Sequence, residues 1–361
     1  MTLNDLRVLT LIKKLIERFD LNLNHLTVFT ELATGPYLYP ALIAALANAR
    51  KVYAISKNSK YGKATDSIKR GLLLADELGV SSKIKFVKKK FRKHLSQCDI
   101  ITNTGFVRPI RAYHIESFKK TAVIPLMWET WEFRDADIDL YACKQNRILV
   151  LGTNEHKEPC NMAPYSGLLA VKLLFDLGLE VYRNRILLLG GQPTLGGSIY
   201  KTLVALGAKV KMFSKVQSSG KTYDTLQKYF NRYGSSVDCI LVAEHIDRRI
   251  LIGEDGILSP TDIKKVNPAI RIGIISGGVD AKRLASLNLK YEPKVVRPVG
   301  YMSYQPDILG PQPVLELLTA GLKVGQTMAN ARLSGLDIQA TVKYSLKHAP
   351  AMDFPGDNSW I

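Results

Sequence analysis

The sequence predicts an α/β protein with mainly parallel sheets, divided into two domains. Strand-like and helix-like stretches alternate from about residue 26 onward, which is the pattern of βαβ units. The length of 361 residues corresponds to two domains at roughly 150 residues each. An apolar stretch with helical spacing, 163–177, separates the first α/β run from a second one. We therefore expect two α/β domains with parallel sheets that flank a cleft.

The first run begins after residues 1–24, which are apolar only in helical stripes and are expected to form a helical extension. Short apolar runs bounded by polar or turn residues then predict strands, and longer amphipathic stretches predict helices. The predicted strands are 26–30, 51–56, 84–87, 99–102, 122–126 and 147–151. The predicted helices are 37–48, 63–79, which Gly79 ends, and 137–145.

The second run repeats the alternation. Its predicted strands are 185–189, 209–213, 239–243 and 270–275, and its predicted helices are 163–177, 196–206 and 223–233. A long amphipathic helix is expected at 313–333, followed by an extended tail at 349–361. We assign 25–160, completed by 312–361, to a flavodoxin-like domain on the substrate side. We assign 161–311 to a Rossmann nucleotide-binding domain.

Composition excludes several classes of protein. No apolar run reaches the roughly 18 residues that a membrane helix needs, so a membrane-spanning protein is not expected. Cys98, Cys143, Cys160 and Cys239 form no CxxC pair, which indicates neither a zinc site nor a disulfide framework. We expect no metal and a cytoplasmic location, because unpaired cysteines are usual in a reducing compartment.

The net charge of +18 has three interpretations. It is typical of a solvated basic surface, of a face that binds nucleic acid, or of a protein that attracts an anionic substrate. The densest basic run, 88–93, is short. We therefore favour an anionic small molecule over nucleic acid, and we expect a homodimer without a membrane partner.

The strongest motif lies between the predicted strand 185–189 and the following helix, at 187–197. Gly191 and Gly196 have the spacing of the first and third glycines of a dinucleotide fingerprint, and Pro193 stands at the second. Thr194, Leu195 and Gly196 open the helix, where backbone N–H groups hold phosphates. A turn that binds no nucleotide is the alternative.

The end of the next strand decides which dinucleotide fits. NAD-binding proteins carry an Asp or Glu there for the ribose hydroxyls. This sequence has Ser214 and Lys215 instead, which favours the 2′-phosphate of NADP, although an ordinary strand end has the same appearance.

Several stretches resemble the D-isomer-specific 2-hydroxyacid dehydrogenases and their formate and glycerate dehydrogenase relatives. The resemblance is carried by 137–150, by 151–154 as the loop after the interdomain strand, and by 163–177, 208–214, 262–267, 277–280 and 313–335. It implies a two-domain Rossmann protein that acts as an NAD(P)-dependent oxidoreductase.

The residues that carry the family's reaction are missing. Ser276 stands where the substrate-binding arginine is expected, and Val299 and Gly300 stand where a histidine follows a proline. Only Glu292 is near the position of the acid that pairs with that histidine. We expect a non-standard active site, or alternatively an inactive or repurposed relative that binds a ligand or a protein partner.

Other residues at predicted strand ends are candidates for chemistry. His156, Glu129, His245 and Tyr301 are acid/base candidates, because ligands lie beyond the carboxyl ends of parallel strands. Arg248, Trp128 and Asn154 are candidates for substrate binding.

The segment 29–37 is similar to the first motif of S-adenosylmethionine methyltransferases, but Ser56 stands where those enzymes have an acidic residue. A methyl-donor site is therefore a minor alternative.

Overall fold

The computed structural model describes residues 2–191, 194–215 and 222–361. The chain divides into two compact units, unit 1 (Met1–Asn161 and Pro311–Ile361) and unit 2 (Met162–Gly310). The helices are α1 (Leu3–Arg18), α2 (Pro40–Leu46), α3 (Ala64–Glu77), α4 (Arg92–Leu95), α5 (Ala112–Ile115), α6 (Leu140–Gln145), α7 (Ala163–Asp176), α8 (Leu195–Ala205), α9 (Leu226–Tyr233), α10 (Pro260–Val266), α11 (Ala281–Ser286), α12 (Pro311–Leu333) and α13 (Ile338–His348).

The strands are β1 (Thr27–Glu31), β2 (Lys51–Ile55), β3 (Ile84–Val87), β4 (Ile100–Ile101), β5 (Val123–Pro125), β6 (Leu149–Thr153), β7 (Arg185–Leu189), β8 (Lys209–Phe213), β9 (Cys239–Ala243), β10 (Ile250–Ile252), β11 (Arg271–Ser276), β12 (Gly278–Val279), β13 (Lys290–Glu292) and β14 (Ala351–Met352). The predicted α/β class with parallel sheets is confirmed.

Unit 1 contains a sheet in the order β14-β6-β5-β4-β1-β2-β3. Its strands run parallel except β14, which pairs antiparallel with β6. The order β3-β2-β1-β4-β5-β6 is that of the doubly wound Rossmann fold, and its switch point lies between β1 and β4.

Unit 2 contains a parallel sheet in the order β13-β11-β9-β7-β8, and a short parallel ladder of β10 and β12. Numbered within the unit, the larger sheet has the flavodoxin-like order 2-1-3-4-5, with its switch point between β7 and β9. Unit 1 therefore has the Rossmann strand order and unit 2 the flavodoxin-like order, whereas the sequence assigned 25–160 to a flavodoxin-like domain and 161–311 to a Rossmann domain. Strand order depends on the crossover connections between strands. The local periodicity of a sequence does not indicate which strands these connections make neighbours.

The central strands β7, β9 and β11 of unit 2 are covered on both faces, as their continuous apolar runs predict. Leu187 and Leu189 belong to one hydrophobic core, whereas Ile186 and Leu188 belong to a second one. Alternate residues of a strand point to opposite faces, so the sheet lies between two cores.

The C-terminal part of unit 1 contains more structure than the sequence predicts. The helix α12 is followed by α13, and β14 extends the sheet by pairing Ala351 with Thr153. The strand β6 begins two residues later than predicted, because Arg147 adopts φ +56° in a turn. Residues 151–153 therefore lie in the strand and not in the loop that the resemblance implies.

Within the described ranges, no helix is both long enough and apolar enough to cross a membrane. The four cysteines are buried and unpaired.

Candidate functional site

The glycine turn after β7 brings three backbone segments unusually close together. Gly190 and Gly191 have φ of +88° and +79°, and the amide of Gly196 donates to the carbonyl of Gly191 at 2.6 Å. A Cβ on Gly190 would lie 2.4 Å from Cβ of Glu244, and one on Gly191 would lie 2.3 Å from the carbonyl oxygen of Ala243. Packing and backbone conformation therefore require glycine at these positions, whether or not a nucleotide binds.

The fingerprint position of Pro193 lies outside the described residues, as does Gln192. The structure resumes at Thr194, which precedes the first turn of α8. Leu195 and Gly196 occupy that turn, as the sequence predicts for residues whose amides would hold a phosphate.

A buried carboxylate lies directly beneath the turn, at the end of β9. Oε2 of Glu244 accepts a hydrogen bond from the Tyr223 hydroxyl at 2.6 Å. Oε1 accepts from the amides of Ile246 at 2.8 Å and Asp247 at 3.1 Å. Sequence reasoning gave Glu244 no role, although a glutamate that directly follows an apolar strand is a recognisable signal.

The position expected for the ribose lies after the neighbouring strand β8. Ser214 is buried and Lys215 is exposed. A hydrogen bond from Arg249 is the main reason that the pKa of Asp247 is lowered, and the charge of Lys215 contributes. The guanidinium of Arg249 donates to Asp247 at 2.7 Å. This edge carries Lys215 and has no carboxylate directly after β8.

The remaining candidates of unit 2 lie along the same edge of the sheet. Oγ1 of Thr194 lies 3.4 Å from Nε2 of His245. Arg248 packs on Gly300, where an added Cβ would lie 2.3 Å from its Nη1. The Ser276 hydroxyl donates to the carbonyl oxygen of Tyr301 at 3.4 Å. His245 and Arg248 follow β9, and Ser276 is the last residue of β11. These two strands are neighbours in the sheet, so the three residues lie along one edge.

Unit 1 holds the other acid/base candidates, at the ends of β5 and β6. Oε1 of Glu129 lies 3.7 Å from Nε2 of His156, and its Oε2 accepts from the indole of Trp131 at 3.0 Å. The amide of His156 donates to Oδ1 of Asn154 at 3.0 Å, which fixes the turn after β6. Glu129, His156 and Asn154 therefore form one group, although the sequence named them only as separate candidates in two loops.

Two further carboxyl groups surround Glu129. Burial raises the pKa of Glu132 to about 7, and repulsion from Glu129 adds to this effect. Burial, followed by the charges of Glu129 and Glu132, raises the pKa of Glu155 well above its usual value. Buried carboxyls with raised pKa values are suited to proton transfer near neutral pH.

Trp128 has a different environment. Its ring lies under the guanidinium of Arg108, 4.8 Å from the ring centroid, and Arg108 also donates to Asp137 at 2.5 Å. This pairing is a cation–π contact, so one face of Trp128 is already covered.

The predicted site residues divide between the units. Trp128, Glu129, Asn154 and His156 belong to unit 1, and Gly191, Thr194, Leu195, Gly196, Ser214, Lys215, His245, Arg248 and Tyr301 belong to unit 2. Among the residues that the structure describes, no group of three or more His, Cys, Asp or Glu has the arrangement of a metal site.

Known structures share the fold of this chain. Dipicolinate synthase from Bacillus subtilis matches with a TM-score of 0.54 and 14% identity, over 84% of this chain and 96% of that one. Dipicolinate synthase from Bacillus halodurans matches with a TM-score of 0.52 and 12% identity, over 83% and 96%. A 2-hydroxyacid dehydrogenase from Ketogulonicigenium vulgare matches with a TM-score of 0.47 and 12% identity, over 79% and 96%.

Neither a protein-family model nor a curated protein matches the sequence significantly. At such low identities the dipicolinate synthase structures establish the fold alone. They confirm the predicted class of α/β protein with Rossmann-type parallel sheets.

Proposed function

We propose that this protein is an NAD(P)-dependent oxidoreductase that acts on an anionic small molecule through a non-standard active site. The observation that carries the proposal is the Gly190–Gly191 turn, which joins β7 to α8 at the switch point of unit 2. Ligands of open α/β sheets lie at this point, and the N-terminus of the following helix favours phosphate.

The residues of unit 2 have distinct roles in this proposal. The backbone at Gly191, Thr194, Leu195 and Gly196 holds the pyrophosphate, and Ser214 and Lys215 favour NADP over NAD. When bound, the nicotinamide supplies hydride exchange. The chain must supply the accompanying proton and bind the substrate.

His245 and Tyr301 are the proposed proton donors of unit 2, and Arg248 is its proposed anion-binding residue. Glu129 and His156 form the proposed acid/base pair of unit 1, with Trp128 and Asn154 on the substrate side. Ser276 cannot clamp a carboxylate as arginine does. We therefore expect 2-keto acids such as pyruvate and glyoxylate to be poor substrates.

Nucleotide binding tests the proposal. NADPH should bind more tightly than NADH in fluorescence and calorimetric titrations. Lys215→Glu should weaken NADPH about tenfold, because it replaces an attractive charge with a repulsive one. Lys209→Glu, at the opposite end of β8, is the matched control and should leave the affinity unchanged. A preference for NADH, or equal effects of the two variants, would overturn the assignment of Ser214 and Lys215.

One observation favours the alternative of a repurposed scaffold without a dinucleotide. The carboxylate of Glu244 packs against Gly190, and close packing alone accounts for the glycines of the turn. A purified chain whose melting temperature and fluorescence respond to neither NADPH nor NADH would support a ligand- or partner-binding relative.

A further inference from the structure

The switch point of unit 1 also has the structure of a ligand site. Glu31 is the last residue of β1 and is only 3% exposed. Its Oε2 accepts from the amide of Phe106 at 2.8 Å, and a Cβ on Gly105 would lie 3.3 Å from the same oxygen. The segment after β4 therefore folds over the end of β1, at the position where doubly wound sheets bind ligands.

Four cationic side chains lie in or beside the segment that follows β4. Nζ of Lys90 donates to the carbonyl oxygens of Val107 and Pro109 and is thereby turned inward from the basic run 88–93. Arg108 and Arg111 belong to the segment itself, and Lys57 follows β2. Within the described chain, Lys57 and Arg111 form no ion pair with a carboxylate.

The charges of these side chains act on one another across the segment. Desolvation, followed by the charges of Lys57 and Arg111, lowers the pKa of Lys90 to about 8. Desolvation and the charges of Lys90, Lys57 and Arg111 lower the pKa of His114 to about 4. The opposing carboxyls are Glu31 and Asp137, and Asp137 is paired with Arg108. The edge is therefore electropositive and can accept an anion.

A buried hydroxyl provides an independent indication. Ser56 follows β2 and is 2% exposed, and its Oγ has no hydrogen-bond partner in the described parts of the chain. Buried hydroxyls are normally hydrogen-bonded, so this oxygen calls for a partner beyond those that the described residues provide.

We propose that the carboxyl edge of β1 and β2 binds a phosphate or carboxylate group of a small molecule, held by Lys57, Arg111 and the hydroxyl of Ser56. This inference rests on the proposed function in one respect, namely that the bound anion is part of the substrate. A small molecule fits better than a nucleic acid strand, because Ser56 and Glu31 are buried, so that only a small group can reach the end of the sheet between them.

Calorimetric titration with inorganic phosphate, without any nucleotide, tests this site. The protein should bind phosphate saturably, and Lys57→Ala and Arg111→Ala should each weaken binding about five- to tenfold, as the loss of a charge-assisted hydrogen bond predicts. Ser56→Ala should weaken binding without lowering the melting temperature, which separates a binding role from a structural one. The exposed Lys60→Ala and Arg7→Ala are matched controls and should bind normally.

Four results would overturn the inference. The first is no saturable binding of phosphate, and the second is equal weakening by the control variants. The third is loss of phosphate binding in Lys215→Glu but not in Lys57→Ala. That result would place the anion at the glycine turn of unit 2, so it would contradict this inference while supporting the proposed function. The fourth is tighter binding of a single-stranded oligonucleotide, unaffected by Ser56→Ala, which would indicate a polyanion surface instead.

Discussion

The carboxyl group of Glu31 illustrates how burial changes the chemistry of a single residue. Its pKa is raised from 4.5 to about 7, mainly by desolvation, whereas the amide of Phe106 and the charges of Arg108 and Lys57 oppose the shift. The folded state therefore binds more protons at this residue than the unfolded state between these two pH values. Stability must then fall as pH rises through this window.

Glu31→Gln should remove this dependence on pH, because the amide keeps the acceptor for Phe106 and does not ionise. Relative to the natural protein, the variant should gain on the order of 2–3 kcal/mol of unfolding free energy between pH 5 and pH 8. Urea unfolding at both pH values measures the difference. A constant difference between the two proteins would show that Glu31 ionises normally.

The glycine turn allows a second test at the residue scale. Gly191→Ala should destabilise unit 2 by about 3 kcal/mol or more, because its Cβ would overlap the carbonyl of Ala243 in addition to the positive φ. Gly79→Ala is the matched control, since Gly79 has φ +67° and open space around its Cβ position. It should cost only about 1–2 kcal/mol. Equal losses in chemical denaturation would mean that contact with Ala243 is unimportant.

Among the elements, α1 shows how a helical stripe becomes part of a core. Val8, Leu9, Ile12 and Leu15 are buried on one face, and α1 packs on α12 and α2. The spacing of these residues is that of one helix face, and Thr2 and Asp5 form a capping box at its start. The predicted helical segment at the N-terminus therefore contributes to the packing of unit 1.

Ile12→Ala should destabilise the protein by about 2–4 kcal/mol, because it removes a fully buried side chain and leaves a cavity. Leu6→Ala on the same helix is the control, since Leu6 is 47% exposed, and it should change stability by less than about 0.5 kcal/mol. Thermal and urea unfolding compare the two. Similar effects would indicate that α1 is not packed as described.

At the scale of the molecule, the two units differ in how the chain builds them. Unit 2 is one continuous segment with its own hydrophobic cores, whereas unit 1 needs the return of α12, α13 and β14. A continuous segment with a complete core is expected to fold alone.

The fragment 162–310 should therefore unfold cooperatively in urea with a native-like circular dichroism spectrum. The fragment 1–161 should not, because α12 packs on β5 and β6 and would be missing. A fragment 162–310 that lacks a cooperative transition would show that unit 2 depends on unit 1.

The sequence by itself determined the longer strands and where chemistry-bearing residues follow them. The predicted strands 84–87, 185–189, 209–213 and 239–243 match the structure residue for residue. The runs 185–189 and 239–243 are almost entirely buried, whereas 84–87 and 209–213 alternate apolar residues with lysines, and both patterns are local signals for a strand. Glu129, Asn154 and His156 were named as separate candidates, and the pairing of β5 with β6 is what brings them together.

Only the tertiary structure decided the strand orders and the contacts that shape each switch point. Glu31 meets Phe106 across 75 positions of the chain, and Tyr223 meets Glu244 across 21. Short strands such as β10, β12 and β14 form because a neighbouring backbone is present, and their few residues carry no periodicity of their own. Local pattern thus specifies the elements, whereas crossovers and long-range hydrogen bonds specify which strand ends become neighbours.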